Sequence, residues 1–273
     1  MSEALKIENM HFSYRAQDAD QGDDASGFWN RLGFSGFSEK LAREEVLSGI
    51  NLSLGYGETL CITGASGQGK SLLLRLIAGL EMPTEGTFYY FGEHVPNHLH
   101  TALNIALRGV GFVFQNSALV SNLNVYDNVA MPLSYHKIGS EEERAERVNM
   151  ALDLMRARSE KDKYPHLLSS GMQKRVAIAR AWAMNPKLLL LDEPIANLDV
   201  YNRRTLVPLI DNMRTLFHTA IIIVTHNLQV AEELNCNICI LHDRKLTPPH
   251  NFDFWLHSDD PIAQDLFRDL RKE

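Results

Sequence analysis

Glycines, a lysine and a hydroxyl residue stand between positions 64 and 71 at a spacing suited to binding phosphate. The stretch matches the P-loop pattern G-x-x-x-x-G-K-[ST] and reads Gly64-Ala65-Ser66-Gly67-Gln68-Gly69-Lys70-Ser71. Glycines let successive backbone N–H groups point into one concavity, and the helix that follows adds its own free N–H donors. Lys70 then reaches the β- and γ-phosphates, and the Ser71 hydroxyl ligates Mg²⁺. The pattern predicts a nucleoside-triphosphate site that extends to Leu72.

Other polar residues follow apolar runs elsewhere in the chain. Asp192 and Glu193 come directly after four leucines, which is the arrangement of a buried strand that delivers a carboxylate to a phosphate site. Asp192 is expected to hold Mg²⁺, and Glu193 is expected to act as the general base for an attacking water. Without the P-loop, a pair of solvated acids would be the better interpretation. Gln115 and His226 also follow apolar runs.

The elements that must position these residues alternate between apolar strands and helices. This alternation predicts a mainly parallel sheet covered on both faces, and such sheets bind ligands at the carboxyl ends of their strands. An alternating run over 5–12 is expected to be an edge strand. The expected strands cover 46–54, 60–63, 87–91, 110–114, 188–191, 220–224 and 237–241, and the expected helices cover 71–78, 125–132, 140–158, 172–184, 202–217 and 228–234.

Composition restricts the possible partners. The chain has 273 residues and a formal net charge of −7, so nucleic acid is a poor candidate partner. Three cysteines do not suggest a disulfide framework. No apolar run approaches the roughly 20 residues that span a bilayer, and no signal peptide is evident. If the protein works at a membrane, we expect another chain to supply the membrane part.

The stretch from Leu168 to Ala181 reads LSSGMQKRVAIARA and resembles the LSGGQ signature of ATP-binding-cassette (ABC) ATPases. The resemblance covers about residues 3–247. It implies an α/β P-loop fold with a mainly parallel core sheet, an antiparallel β subdomain and a helical subdomain at about 116–170. Residues 16–44 would be an insertion after the first strand, and residues 248–273 a C-terminal tail that packs on the partner subunit.

The same resemblance assigns roles to individual residues. Tyr14 would stack on adenine, Gln115 would contact Mg²⁺ from the Q-loop, and His226 would contact the γ-phosphate, so that Lys70, Glu193 and His226 form the catalytic group. Ser169, Gly171 and Asp199 would act across a twofold homodimer with two ATP molecules at its interface. Two residues depart from the signature: Ser170 replaces a glycine, which is tolerable if its φ is negative, and Met172 replaces a glutamine.

Within this family, residues 114–133, Met172 and the tail resemble the ATPases of Mla/MCE-type phospholipid transporters. That resemblance implies a bacterial inner-membrane permease that docks near Gln115–Tyr135, lipid cargo, lipid-binding or accessory subunits, and a location on the cytoplasmic face of that membrane. The closest rival is a cell-division or envelope-remodelling ABC ATPase that acts as a mechanical switch. A P-loop kinase would leave the signature run without a role. The aromatic residues between 28 and 37 fit either a surface loop or a docking patch.

Overall fold

The computed structural model describes residues 3–14 and 44–272, and it contains two sheets. The first sheet is antiparallel with the order β2-β1-β4-β5. Its strands are β1 (Glu3–Tyr14), β2 (Glu44–Gly55), β4 (Glu85–Tyr90) and β5 (Glu93–Val95). Because β1 pairs with both β2 and β4, the expectation that it is an edge strand was wrong. Its alternation arises from one buried face rather than from an edge position.

The second sheet carries the predicted phosphate-binding residues. Its order is β10-β9-β3-β8-β7-β6, with parallel pairing from β9 to β6 and an antiparallel β10. The strands are β3 (Thr59–Thr63), β6 (Val110–Val113), β7 (Leu188–Asp192), β8 (Ala220–Val224), β9 (Asn237–His242) and β10 (Lys245–Leu246). Gly64, Gln115 and His226 therefore follow the carboxyl ends of parallel strands, as the sequence predicted. Asp192 was expected to follow its strand as well, but it is the last residue of β7, and Glu193 is the residue that follows.

Nine α-helices lie in the described ranges. They are α1 (Lys70–Ile77), α2 (Ala102–Leu107), α3 (Val125–Tyr135), α4 (Glu141–Leu154), α5 (Ser170–Trp182), α6 (Val200–Phe217), α7 (Gln229–Glu233), α8 (Phe252–Leu256) and α9 (Pro261–Leu266). The Ser140–Glu143 capping box is present at the start of α4. This helix ends at Leu154 rather than near Arg158, because Arg156 adopts a left-handed φ of 51°.

The parallel sheet separates two apolar cores, and alternate residues of its strands point into each. Leu189 and Leu191 of β7 pack with the helices α3 to α6, whereas Leu188 and Leu190 pack with α1 and the antiparallel sheet. All four leucines are fully buried, so a strand that is apolar at every position is the consequence of having a core on both faces. Helix α1, which carries Lys70 and Ser71, lies between the two sheets.

A buried polar pair lies under the last turn of α1. The hydroxyl of Tyr90 donates to the carbonyl oxygen of Ile77 at 2.6 Å, so the hydroxyl proton is committed to that bond. His100 Nε2, 3.0 Å from the same hydroxyl, must then be the protonated nitrogen and donate to it. The Nδ1 of His100 is buried with no partner among the described residues, and burial lowers the pKa of His100 to about 4.

The C-terminal tail packs on the body of its own chain. Trp255 of α8 donates from Nε1 to the carbonyl oxygen of Ile238 at 2.8 Å, and Ala263 and Phe267 are fully buried. Contact between this tail and a partner subunit stays a prediction. In the parts of the chain that the structure describes, no helix has the length and apolarity needed to cross a bilayer.

Candidate active site

The loop between β3 and α1 has the backbone geometry of a phosphate cradle. Gly64 has a φ of 144°, and a Cβ there would lie 2.3 Å from the carbonyl oxygen of Leu241 in β9. Gly69 has a left-handed φ of 95° and is the N-cap residue directly before α1. Lys70 Nζ donates to the carbonyl oxygens of Gly64 and Ala65, both at 2.8 Å, so the ammonium group lies over the loop. Burial lowers the pKa of Lys70, and the carboxylates of Glu193 and Asp192 act against that effect.

A hydroxyl and a carboxylate meet beside this loop. Ser71 Oγ donates to Asp192 Oδ1 at 2.8 Å, although the two residues are 121 positions apart in the chain. Hard oxygen donors of this kind suit Mg²⁺, which usually takes one or two protein ligands and completes its shell with water and phosphate oxygens. The donor set therefore fits the ion that the P-loop pattern predicts.

Glu193 occupies an unusual backbone and electrostatic position. Its φ is 47°, and its backbone N–H donates to the carbonyl oxygen of Val224 at 2.9 Å. His226 Nε2 lies 3.1 Å from Glu193 Oε1 without hydrogen-bond geometry, and this buried oxygen has no hydrogen-bond partner in the described residues. Burial raises the pKa of Glu193, whereas His226 and Lys70 lower it. A buried carboxylate oxygen with free acceptor capacity, next to a phosphate cradle, is suited to accept a proton from water.

A pocket of about 460 Å³ joins these groups. Ten of the predicted site residues line it: Tyr14, Ser66, Gly67, Gly69, Lys70, Ser71, Leu72, Gln115, Glu193 and His226. Tyr14 is the last residue of β1 and pairs with Glu44, the first residue of β2, so both chain ends that flank the insertion reach the pocket wall. The structure of the insertion itself lies outside the described residues, apart from Glu44.

Four lining residues were not predicted from the sequence: Glu44, Val46, Arg75 and Val224. Val46 of β2 packs on the P-loop, since a Cβ added to Gly69 would lie 3.3 Å from Val46 Cγ1. Arg75 follows Ser71 by four residues on α1, so helical spacing could have indicated it. The other three depend on how distant strands pack, and no local pattern signals them.

Seven predicted site residues do not line the pocket: Gly64, Ala65, Gln68, Ser169, Gly171, Asp192 and Asp199. Gly64, Ala65 and Asp192 act through the contacts above, and Gln68 Oε1 accepts from the backbone N–H of Asp243 at 3.2 Å. Ser169, Gly171 and Asp199 lie at the start of α5 and α6, apart from their own chain's pocket.

These starts of α5 and α6 are packed together. Ser169 caps α5 by accepting from the backbone N–H of Met172 at 3.3 Å. Asp199 caps α6 by accepting from the backbone N–H and side-chain amide of Asn202 at 2.7 and 2.8 Å. A Cβ on Gly171 would lie 2.6 Å from Asn202 Oδ1, so a larger residue at this position would have to displace the Asn202 side chain. Ser170 has a negative, helical φ, which meets the condition for tolerating that departure from the signature.

A comparison with protein families decides the relationship. The family described as "ABC transporter" matches residues 47–196, which is more than half of the chain. The chain belongs to the ABC transporter family. This match confirms the ABC ATPase resemblance, and the two sheets with their helices agree with the fold class that the resemblance implied.

Curated members of the ABC transporter family are similar to this chain. A sulfate/thiosulfate import ATP-binding protein of Mesostigma viride is 39% identical over 77% of this chain and 58% of its own length. The Pseudomonas putida protein of that name is 38% identical over 75% of this chain and 62% of its own length. A methionine import ATP-binding protein of Campylobacter jejuni is 36% identical over 70% of this chain and 62% of its own length. The chain thus spans about three fifths of the length of these relatives.

Solved ABC structures share the fold. A dimeric structure of the ATP-binding cassette MJ0796 with ADP and phosphate matches with a TM-score of 0.73 and 29% identity, over 90% of this chain and 98% of its own. The structure of cbiO1 from Clostridium perfringens, part of the ABC transporter complex cbiONQ, matches with a TM-score of 0.74 and 26% identity, over 100% of this chain and 97% of its own. The matched part of the chain is an ABC ATPase domain, which uses ATP with Mg²⁺. The lipid transport that the finer resemblance implied has no support among the curated relatives, whose names give sulfate/thiosulfate or methionine.

Proposed function

We propose that this chain is the ATP-hydrolysing motor subunit of an ABC transporter, and that it works as a homodimer beneath a separate permease. One observation carries the proposal. Lys70, the Ser71–Asp192 pair and the Glu193–His226 pair meet around one pocket, while the signature residues lie outside it. A chain with half of a composite site on each of two surfaces is completed by a second copy of itself.

In the proposed reaction, water attacks the γ-phosphorus of ATP and the bond to the bridging oxygen of ADP breaks. Glu193 Oε1 takes the proton of that water, and His226, 3.1 Å from the same oxygen, contacts the γ-phosphate. Lys70 leaves its loop carbonyls and offsets the negative charge on the phosphates. Ser71, Asp192 and Gln115 would hold Mg²⁺, which when bound neutralises the charge that develops on the phosphate oxygens.

The dimer is proposed to place Ser169 and Gly171 of one subunit against the ATP held by the P-loop of its partner. The exposed start of α5 offers free backbone N–H groups and the positive end of a helix dipole, both of which favour a phosphate. The packing of Asn202 between Gly171 and Asp199 would transmit contact at one helix start to the other.

The permease is proposed to dock at residues 115–135. Apolar side chains in and beside this segment are exposed: Tyr135 by 79%, Met131 by 39% and Phe114 by 38%. Exposed apolar surface of this kind is typical of interaction sites. We place the protein on the cytoplasmic face of a bacterial inner membrane, since a permease that spans the membrane must present its docking surface to the compartment that holds ATP.

Lipid cargo is a hypothesis that depends only on the sequence resemblance to the Mla-type ATPases. The relatives named above import sulfate, thiosulfate or methionine, so cassettes of one fold serve chemically different cargo. The cargo is therefore expected to be selected by the permease and not by this chain.

Two experiments test the motor. Glu193→Gln keeps the shape of the side chain and removes the base, so it should bind ATP, lose turnover by at least about 100-fold and accumulate as a dimer in light scattering. Undiminished hydrolysis would reject Glu193 as the base.

Mixing Lys70→Ala subunits with Ser169→Arg subunits tests action in trans. In a mixed dimer, the intact P-loop of one subunit meets the intact signature of the other, so only the mixed dimer has one complete site. Recovery of hydrolysis on mixing supports the proposal, and its absence at every ratio contradicts it.

Purification of the tagged chain from its native membrane tests the transport role. A multispanning permease with bound cargo supports a transporter, and phospholipid in that cavity would support the lipid hypothesis. A partner without a substrate cavity would instead favour the mechanical-switch ATPase. Substituting Tyr135 by Ser should reduce recovery of the permease while leaving basal ATP hydrolysis unchanged.

A further inference from the structure

A buried lysine joins three functional segments without touching the pocket. Lys174 lies on α5, one turn after Ser169 and Ser170, and only 6% of it is exposed. Its Nζ donates to the carbonyl oxygen of Gln115, which follows β6, and to the carbonyl oxygen of Glu193 at 3.2 Å, which follows β7. Lys174 does not line the pocket.

The chemistry of this group requires those carbonyls. A buried ammonium group is costly unless it is hydrogen-bonded and close to opposite charge. Burial lowers the pKa of Lys174, and the nearby carboxylates of Asp192 and Glu193 raise it. An apolar side chain of the same length would fill the same space, so the charge and the donors of Lys174 are not needed for packing alone.

The Glu193 peptide is the part that gains most from this contact. A left-handed φ of 47° costs a residue with a side chain about 1–2 kcal/mol, so neighbouring groups must hold it. The backbone N–H of Glu193 donates to Val224 of β8, and its carbonyl oxygen accepts from Lys174 of α5 and from the backbone N–H of Ala196, both at 3.2 Å. Of these partners of the carbonyl, only Lys174 comes from another element. The direction of the Glu193 carboxylate therefore depends on where α5 places the Nζ of Lys174.

We propose that Lys174 is a positioning residue for ATP hydrolysis, which orients Glu193 and Gln115 according to the position of the signature helix α5. A shift of α5 when Ser169 engages the partner's ATP would move Nζ and thereby the two carbonyls it holds. This inference depends on the motor function proposed above, and it makes Glu193 of one site sensitive to the nucleotide bound at the other.

The test compares Lys174→Met, Lys174→Arg and, as a matched control, Lys161→Met at an exposed lysine. We expect Lys174→Met to lower kcat by at least 10-fold with a KM for ATP within about 3-fold of the parent value, because Lys174 lies outside the pocket. Loss of a positive charge near Glu193 should also move the acidic limb of the kcat–pH profile to higher pH. Lys174→Arg keeps the charge and donors and should restore part of kcat, and Lys161→Met should change nothing.

Amide hydrogen exchange in the nucleotide-free protein gives a second readout that needs no turnover. Exchange at residues 193–196 and 115–117 should rise at least several-fold in Lys174→Met and not in Lys161→Met. An unchanged kcat, or a fall in kcat that only follows the loss of folded protein with the same pH profile and unchanged exchange, overturns the proposal. If the unaltered protein does not hydrolyse ATP, the motor function fails, and the exchange measurement still decides whether Lys174 holds these loops.

Discussion

Replacing Gly64 by alanine should destabilise the whole fold, although Gly64 belongs to the loop proposed to bind nucleotide. The new Cβ would lie 2.3 Å from the carbonyl oxygen of Leu241, about 1 Å closer than carbon and oxygen normally approach. Neither backbone can yield easily, because Gly64 directly follows β3 and Leu241 lies in β9, the strand paired with it. The φ of 144° is also a region that essentially only glycine occupies.

The magnitude follows from these two effects. Overpacking typically costs about 1–3 kcal/mol and a forced backbone conformation about another 1–3 kcal/mol, so we expect a loss of about 2–6 kcal/mol. Domains of ordinary stability have only about 5–15 kcal/mol to lose. Gly67→Ala is the matched control within the loop. Its φ is 81° but no atom lies within 4 Å of its Cβ position, so only a backbone cost of about 1–2 kcal/mol is expected.

Urea unfolding, followed by the fluorescence of the buried Trp182 and Trp255, measures both losses. The comparison is valid if the free energy of unfolding falls with urea concentration at the same slope in all proteins, since a changed slope would indicate an altered unfolded state. We also expect Gly67→Ala to weaken ATP binding more than stability, because the open space beside Gly67 is the pocket. A Gly64→Ala protein within 1 kcal/mol of the parent, or one no less stable than Gly67→Ala, would refute the steric argument.

Further predictions concern stability and the signature. The pKa of His100 is about 4 in the folded protein and about 6.5 in the unfolded protein. The free energy of unfolding should therefore fall by about 3 kcal/mol as the pH falls from 6.5 to 4, and this contribution should be fully present above pH 6.5. His100→Gln should lack this loss when unfolding is measured against pH. Asn128 is fully buried and makes four hydrogen bonds to the backbone of residues 120–124. Asn128→Ala should therefore lower the free energy of unfolding in urea by about 2–4 kcal/mol. A loss below 1 kcal/mol would show that water replaces these hydrogen bonds. Ser170→Gly should leave ATP hydrolysis within about 3-fold, since Ser170 is exposed and helical; a larger change in steady-state rate would show that its side chain takes part in the site.

The parts of this molecule that were predictable from sequence are those that depend on local pattern. Four consecutive leucines predicted β7, because a strand with a core on both faces is apolar along its length, and the acidic residues after them marked its carboxyl end. The P-loop and the capping box of α4 were predictable for the same reason, since their hydrogen bonds join residues a few positions apart.

The features that were missed depend on contacts between distant segments. Lys174 appeared as one charge in a helical run, and only the fold brings it to the carbonyls of Gln115 and Glu193. Val46 and Glu44 reach the pocket through strand pairing across an insertion. The central position of β1 could not be inferred from its alternation, because one buried face gives the same pattern in an edge strand and an interior strand.

The pairing of Tyr14 with Glu44 bears on how the chain tolerates changes of length. The connection of 29 residues, 15–43, joins directly opposite positions of two paired strands, so the strand pairing itself holds both ends of the connection together. Closing a connection twice as long would cost only about 0.6 kcal/mol more. Sequence can therefore be inserted or removed at this point with little change in the free energy of unfolding.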